Sequence, residues 1–132
     1  MNTAKSEVRR ARGAAAHKAG RRAELTAALW LMAKGYSILG MRVRLPMGEI
    51  DVLARRGRVL AAVEVKTRTT IEGALAAVDA EQRHRLRRAL QAFAARRPSL
   101  KDAALRLDLM ALAPGRFPRH IPDAWSEDQP FR

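Results

Sequence analysis

Asp51, Glu64 and Lys66 stand in a stretch that is otherwise largely aliphatic, GEIDVLARRGRVLAAVEVKTR from Gly48 to Arg68. Carboxylates are hard oxygen donors, and a pair of them suits Mg2+ or Mn2+, ions that keep several waters and complete their shell with substrate phosphate oxygens. A lysine two residues beyond the second carboxylate can hold an attacking water or balance the charge that develops on a phosphate. These residue types at this spacing point to phosphodiester hydrolysis. The competing reading is an exposed cross-strand salt ladder that keeps an edge strand soluble.

The stretch reads as a β-hairpin. With Arg55 to Arg58 as its loop, Ala54 pairs with Val59, Glu49 faces Glu64, and Asp51 faces Ala62. Alternation with period two then puts Glu49, Asp51, Glu64 and Lys66 on one face and Ile50, Val52, Val63 and Val65 on the other. One lysine does not neutralise three carboxylates held on one face, whereas a divalent cation does.

Other elements must carry this hairpin. Residues 1–15 are small, basic and weakly patterned and are expected as a flexible arm; 16–126 form a single domain, and 127–132 a C-terminal tail. Leu25, Ala28, Leu29 and Met32 recur at helical spacing within a helix from His17 to Lys34, which Gly35 closes. Tyr36 to Leu45 is a strand that stops at Pro46. Asp79 caps a second helix with Gln82 at its third position, and Leu86, Leu90 and Phe93 line one stripe of it before Pro98. Leu105 to Leu112 is the last strand, giving the order αβββαβ. The proline-rich remainder is expected to be irregular, with Trp125 docked on the body as an anchor.

The chain has 132 residues, enough for one core, and carries 26 Lys and Arg against 13 Asp and Glu, a net charge of +13. Such an excess favours a polyanionic partner, nucleic acid first. Arg83, Arg87 and Arg88 on the second helix, and Arg68 after the hairpin, are the candidate contacts to its backbone. The absence of cysteine excludes disulfides and thiolate metal sites and fits a cytoplasmic protein. No apolar run is long enough for a membrane span. His17, His84 and His120 show no metal-ligand spacing and read as surface residues. Neither a phosphate-binding P-loop nor a Ser-His-Asp arrangement is suggested.

Asp51 followed by Glu64-Val65-Lys66 on consecutive strands within αβββαβ resembles the PD-(D/E)xK nuclease superfamily. More narrowly, GRRAE, GEID, VEVKTR, RLDLM and DAW, spread over residues 17–126, resemble the YraN family of uncharacterised bacterial proteins, which are themselves similar to archaeal Holliday junction resolvases. The resemblance implies an α/β fold with a restriction-endonuclease-like αβββαβ core, a mixed sheet flanked by helices. It implies Asp51 and Glu64 as metal ligands, Lys66 as the catalytic lysine, Glu24 as a helix acid approaching the metal, and Glu49 as a supporting carboxylate. Gln82 matches a helix glutamine of some relatives loosely; capping of its own helix is the favoured reading. The implied function is a Mg2+- or Mn2+-dependent endonuclease acting on structured or branched DNA, in which a homodimer would cut two strands. The alternative is a nucleic-acid-binding protein on a nuclease scaffold without turnover. Ile50 stands where the superfamily motif has its proline.

Overall fold

A single turn fixes how the hairpin strands meet. In the computed structural model, which describes residues 3–128, Gly57 takes φ +59, a left-handed conformation that glycine adopts at little steric cost. The turn is therefore the pair Gly57-Arg58, with Arg56 opposite Val59 and Val52 opposite Val63. The expected four-residue loop is thus too long, and Ala54 lies opposite Ala61 rather than Val59. The register moves by two residues, and a slip by an even number leaves every side chain on its face.

Five strands, β1 (Ser37–Leu45), β2 (Gly48–Arg56), β3 (Val59–Thr67), β4 (Ala104–Leu112) and β5 (Arg119–Ile121), lie in sequence order across one sheet. β3 and β4 run parallel and the other neighbours antiparallel. Parallel neighbours need a crossover, and α2 (Ile71–Ala76), α3 (Ala80–Ala95) and a short 3-10 turn (Pro98–Leu100) supply it. The α/β class and the mixed sheet flanked by helices are as expected. α2 and β5 are additions, β5 forming inside the segment expected to be irregular.

The first helix, α1, starts at Thr3 and runs to Ala33, well ahead of the expected His17. Alanine and arginine favour helix and no proline interrupts them, so residues 3–15, expected to be flexible, continue the helix while exposed to solvent. Positions 1–2 of that arm and 129–132 of the tail, including Phe131, lie outside the described residues. The face that α1 buries also differs from the one its larger side chains suggested. Ala27, Ala28 and Leu31 pack with Val52, Ala54, Ala61, Val63 and Met110, whereas Leu25, Leu29 and Met32 are exposed. Small residues let the helix backbone come close to the sheet, which outweighs burying the bulkier stripe.

On the opposite face, Leu86, Ala89, Leu90 and Phe93 of α3 cover Leu53, Leu60, Ala62, Leu107 and Leu109, and Trp125 docks there as anticipated. Ile50 joins this cluster, although strict alternation puts it with Val52. Beside it Met41 is opposite Val52 and Val43 opposite Ile50, and Arg42 between them has φ +50; the register of β1–β2 shifts further along, between Ile38 and Gly40. A left-handed arginine is a costly conformation and re-aims its neighbours.

β5 is held by a buried acid. Asp108 on β4 is inaccessible to solvent and accepts Arg106 Nε at 2.7 Å, His120 Nε2 at 2.8 Å and the Asp123 N–H at 3.0 Å. Burial pushes its carboxyl up, but these donors together outweigh burial and leave the pKa below the ordinary value. His120 is therefore no surface residue; its side chain is 1% exposed and its other ring nitrogen meets Lys34 Nζ. Removing one member of such a cluster leaves the other charges buried without a partner. Asp108→Ala should lower the unfolding free energy by about 3–5 kcal/mol in urea titrations, against less than about 0.5 kcal/mol for the exposed Arg88→Ala.

Candidate active site

The β2–β3 ladder ends at Val52 and Val63, and both acids of the motif sit just beyond it. There Asp51 Oδ2 accepts the backbone N–H of Val65 at 2.9 Å, so the main chain of β3 fixes a carboxylate of β2. Glu64, 5% exposed, lies on the same corner, close enough for the charge of Asp51 to act on it. They line one cleft of about 410 Å³ together with Glu49, Gln82, Arg85 and the Leu45–Gly48 turn. Adjacent strands have brought the two acids into one enclosed place.

Each member of the predicted constellation can now be placed. Lys66 Nζ is 3.5 Å from Glu64 Oε1, the separation of an ion pair. Gln82 Nε2 donates to the same oxygen at 3.3 Å. The glutamine had been assigned to capping, and its backbone N–H does meet Asp79 Oδ1 at 2.8 Å, but that leaves the side chain free to reach the cleft. Glu24 approaches from α1 closely enough to repel Asp51, yet its carboxylate is bonded to Arg42 Nε at 2.6 Å. Glu49 is exposed at the cleft wall and pairs with Arg44 at 3.5 Å.

The expected backbone-binding arginines divide. Arg83 is bonded to Asp128 at 2.7 Å and Arg87 pairs with the same carboxylate, so the two share one counter-charge. Arg68 and Arg88 are exposed, and Arg68 bonds the carbonyl of Thr67 at 2.8 Å. Two cations were not singled out. Arg85 lines the cleft, and Arg42 falls across from Asp51 by register. A tight turn at Pro46-Met47 places Leu45 opposite Gly48 and, counting back along both strands, Arg42 opposite Asp51. That signal was available in the sequence once β1 and β2 are paired.

Burial raises the pKa of Glu64 first, and the charge of Asp51 raises it further, to about 8 against an ordinary 4.5. Asp51 is pushed up as well, chiefly by burial, with the Val65 N–H and Lys66 opposing the rise. The site thus demands a positive charge or a proton. Among the described residues no group of three or more acids or histidines gathers around a point, so a metal at this cleft would draw its carboxylates from the Asp51–Glu64 pair. Two hard carboxylates in a water-accessible cleft fit Mg2+ or Mn2+, which use one or two protein carboxylates and fill the remaining positions with water and phosphate oxygen.

Comparison with known proteins matches residues 23–112 to the model of the uncharacterised protein family UPF0102. A UPF0102 protein of Caulobacter vibrioides is 67% identical over 118 residues, covering 89% of this chain and 94% of its own length. Counterparts in Paramagnetospirillum magneticum and Sinorhizobium fredii are 48% and 44% identical, covering 86% and 82% of this chain and 92% and 88% of their own lengths. No helix among the described residues is long and apolar enough to cross a membrane.

A raised carboxyl pKa has a defined sign in folding. Between 4.5 and about 8 the folded chain holds the Glu64 proton that the unfolded chain releases, so stability falls as pH rises through that window. In metal-free buffer, Glu64→Gln should remove most of this slope and raise the melting temperature at alkaline pH by about 4 °C or more. Millimolar Mg2+ should raise the wild-type melting temperature under the same conditions and leave that of Glu64→Gln unmoved.

Proposed function

This chain belongs to the uncharacterised protein family UPF0102, and on that premise we propose that it is a divalent-metal-dependent endonuclease acting on structured or branched DNA. The carrying observation is the joint seating of Asp51 and Glu64 at one buried corner, with Lys66 on the same oxygen as Gln82. When bound, Mg2+ or Mn2+ supplies Lewis-acid polarisation of the scissile phosphate. Asp51 and Glu64 hold the ion, Asp51 being kept in place by the main chain of β3 and Glu64 by Gln82. Lys66 orients a water for in-line attack on phosphorus; the new oxygen–phosphorus bond forms as the bond to the leaving sugar oxygen breaks.

The surrounding cations divide the remaining work. Arg42 fixes Glu24 beside the pair, and Arg85 at the cleft wall meets the phosphate backbone. The net charge of +13 draws a polyanion towards the cleft. On this reading the protein works in the cytoplasm, and a homodimer presenting one cleft per strand would complete a two-strand cut.

One observation favours a second reading, a nucleic-acid-binding protein without turnover: Lys66 already pairs with Glu64, and no group of three or more acids or histidines that could hold a metal is found among the described residues. A cleavage panel separates the two. With Mg2+ or Mn2+ the wild type should cut branched substrates, while Asp51→Ala and Lys66→Ala should each lose about a hundredfold or more in rate and still bind DNA. A wild type that cuts no branched, single-stranded or duplex substrate with either metal removes the enzymatic reading.

A further inference from the structure

A group of basic side chains without ion pairs among the described residues stands at the end of the sheet away from the carboxylates. β3 begins at Val59, five residues before Glu64, so the hairpin turn lies about 17 Å from the cleft along the strand. Parallel pairing of Val59 with Ala104 brings the start of β4 to the same end, where Ala104 N–H bonds the Arg58 carbonyl at 2.6 Å. Six cations meet there: Arg55, Arg56 and Arg58 from the turn, and Arg96, Arg97 and Lys101 from the end of α3 and the segment after it.

None of the six belongs to an ion pair among the described residues, whereas Arg42, Arg44, Lys66, Arg83 and Arg87 all do. Three of the six are aimed by main-chain carbonyls instead. Arg55 donates to Gly57 O at 3.1 Å, Arg56 to Lys34 O at 3.1 Å and Arg97 to Phe93 O at 3.2 Å. A carbonyl positions a guanidinium without cancelling its charge. Arg58, Arg96 and Lys101 are exposed and make no such bond.

The surface is also concave. A groove of about 710 Å³ runs beside Arg96, Arg97 and Lys101, and a second of about 430 Å³ beside Arg55 and Arg58. The two share Pro98 and Ala103, and Asp102 is the single carboxylate lining either.

We propose that this pole is a second nucleic-acid surface, one that grips the phosphodiester backbone independently of the carboxylate cleft. Arginine supplies five of the six cations, and its planar fork matches phosphate oxygens in pairs. The large exposed apolar residues, Leu25, Leu29, Met32, Leu39, Met41 and Phe117 among them, belong to other elements, so this end offers no wedge for a lipid surface. Charges on either side of one turn, with no sequence-reading groove between them, suit a repeating backbone rather than particular bases. The inference rests on the nucleic-acid part of the proposed function and does not require cleavage.

The test uses the full chain in EDTA with a fluorescent DNA duplex of about 30 base pairs, followed by anisotropy across a sodium chloride series. The triple variant Arg58→Gln, Arg96→Gln, Lys101→Gln removes exposed, unpaired side chains and should melt within about 2 °C of wild type. Its binding should weaken at least about tenfold at ~0.1 M salt, and the slope of log affinity against log salt should become shallower by about 2 to 3. A triple variant with wild-type slope and affinity overturns the inference, even where the wild type cleaves DNA. So does a triple variant that keeps duplex binding but loses binding to vesicles of phosphatidylcholine and phosphatidylglycerol. Slope and affinity that fall as expected in a protein that cleaves nothing support the second surface and remove only the cleavage reading.

Discussion

Two carboxylates forced together at the end of a two-stranded ladder are the constraint around which this molecule is arranged. Asp51 and Glu64 repel each other, and water that would screen them is largely excluded at Glu64. The neighbouring groups answer that repulsion in part: the Val65 N–H binds one acid, and Lys66 and Gln82 bind the other. Arg42 takes up Glu24, the third acid, in a strained left-handed conformation. The charge left over is what a divalent ion or a proton would satisfy.

A second buried acid shows that burial alone does not set the outcome. Asp108 is as enclosed as Glu64, yet its pKa moves down while that of Glu64 moves up. The difference lies in partners. Asp108 receives two of the three guanidinium nitrogens of Arg106, a histidine and a backbone N–H, whereas Glu64 has one lysine, one amide and a like charge. One acid is locked as a strut for β5, and the other is kept unsatisfied at a cleft. Discriminating the two by burial would confuse a structural anion with a reactive one.

Surface charge follows a related division. On the cleft side Arg83 and Arg87 share Asp128 and Arg44 pairs with Glu49, while Arg85 in the cleft wall has no ion pair among the described residues. At the hairpin end three arginines are oriented by carbonyls, and none of the six cations has an ion pair among the described residues. An overall excess of basic residues therefore says little about where a polyanion would lie until the pairs are known.

Local rules carried much of the plan. Alternation placed Asp51 and Glu64 on one face, and this held although the turn was shorter than expected, because a two-residue slip preserves parity. Element order, the cap at Asp79, the stripe of α3 and the anchoring of Trp125 were also legible, since each depends on residues close in sequence or on size and hydrophobicity alone. Ile50 escaped the rule at the end of β2 that pairs beside Arg42, whose φ is +50. What tertiary structure alone decided was the choice of partner: Arg83 and Arg87 with Asp128, His120 with Asp108, Glu24 with Arg42, and the alanine face of α1 over its leucines. Periodicity fixes which way a side chain points, but ion pairs form between segments far apart in the chain, where only the folded geometry sets the distance.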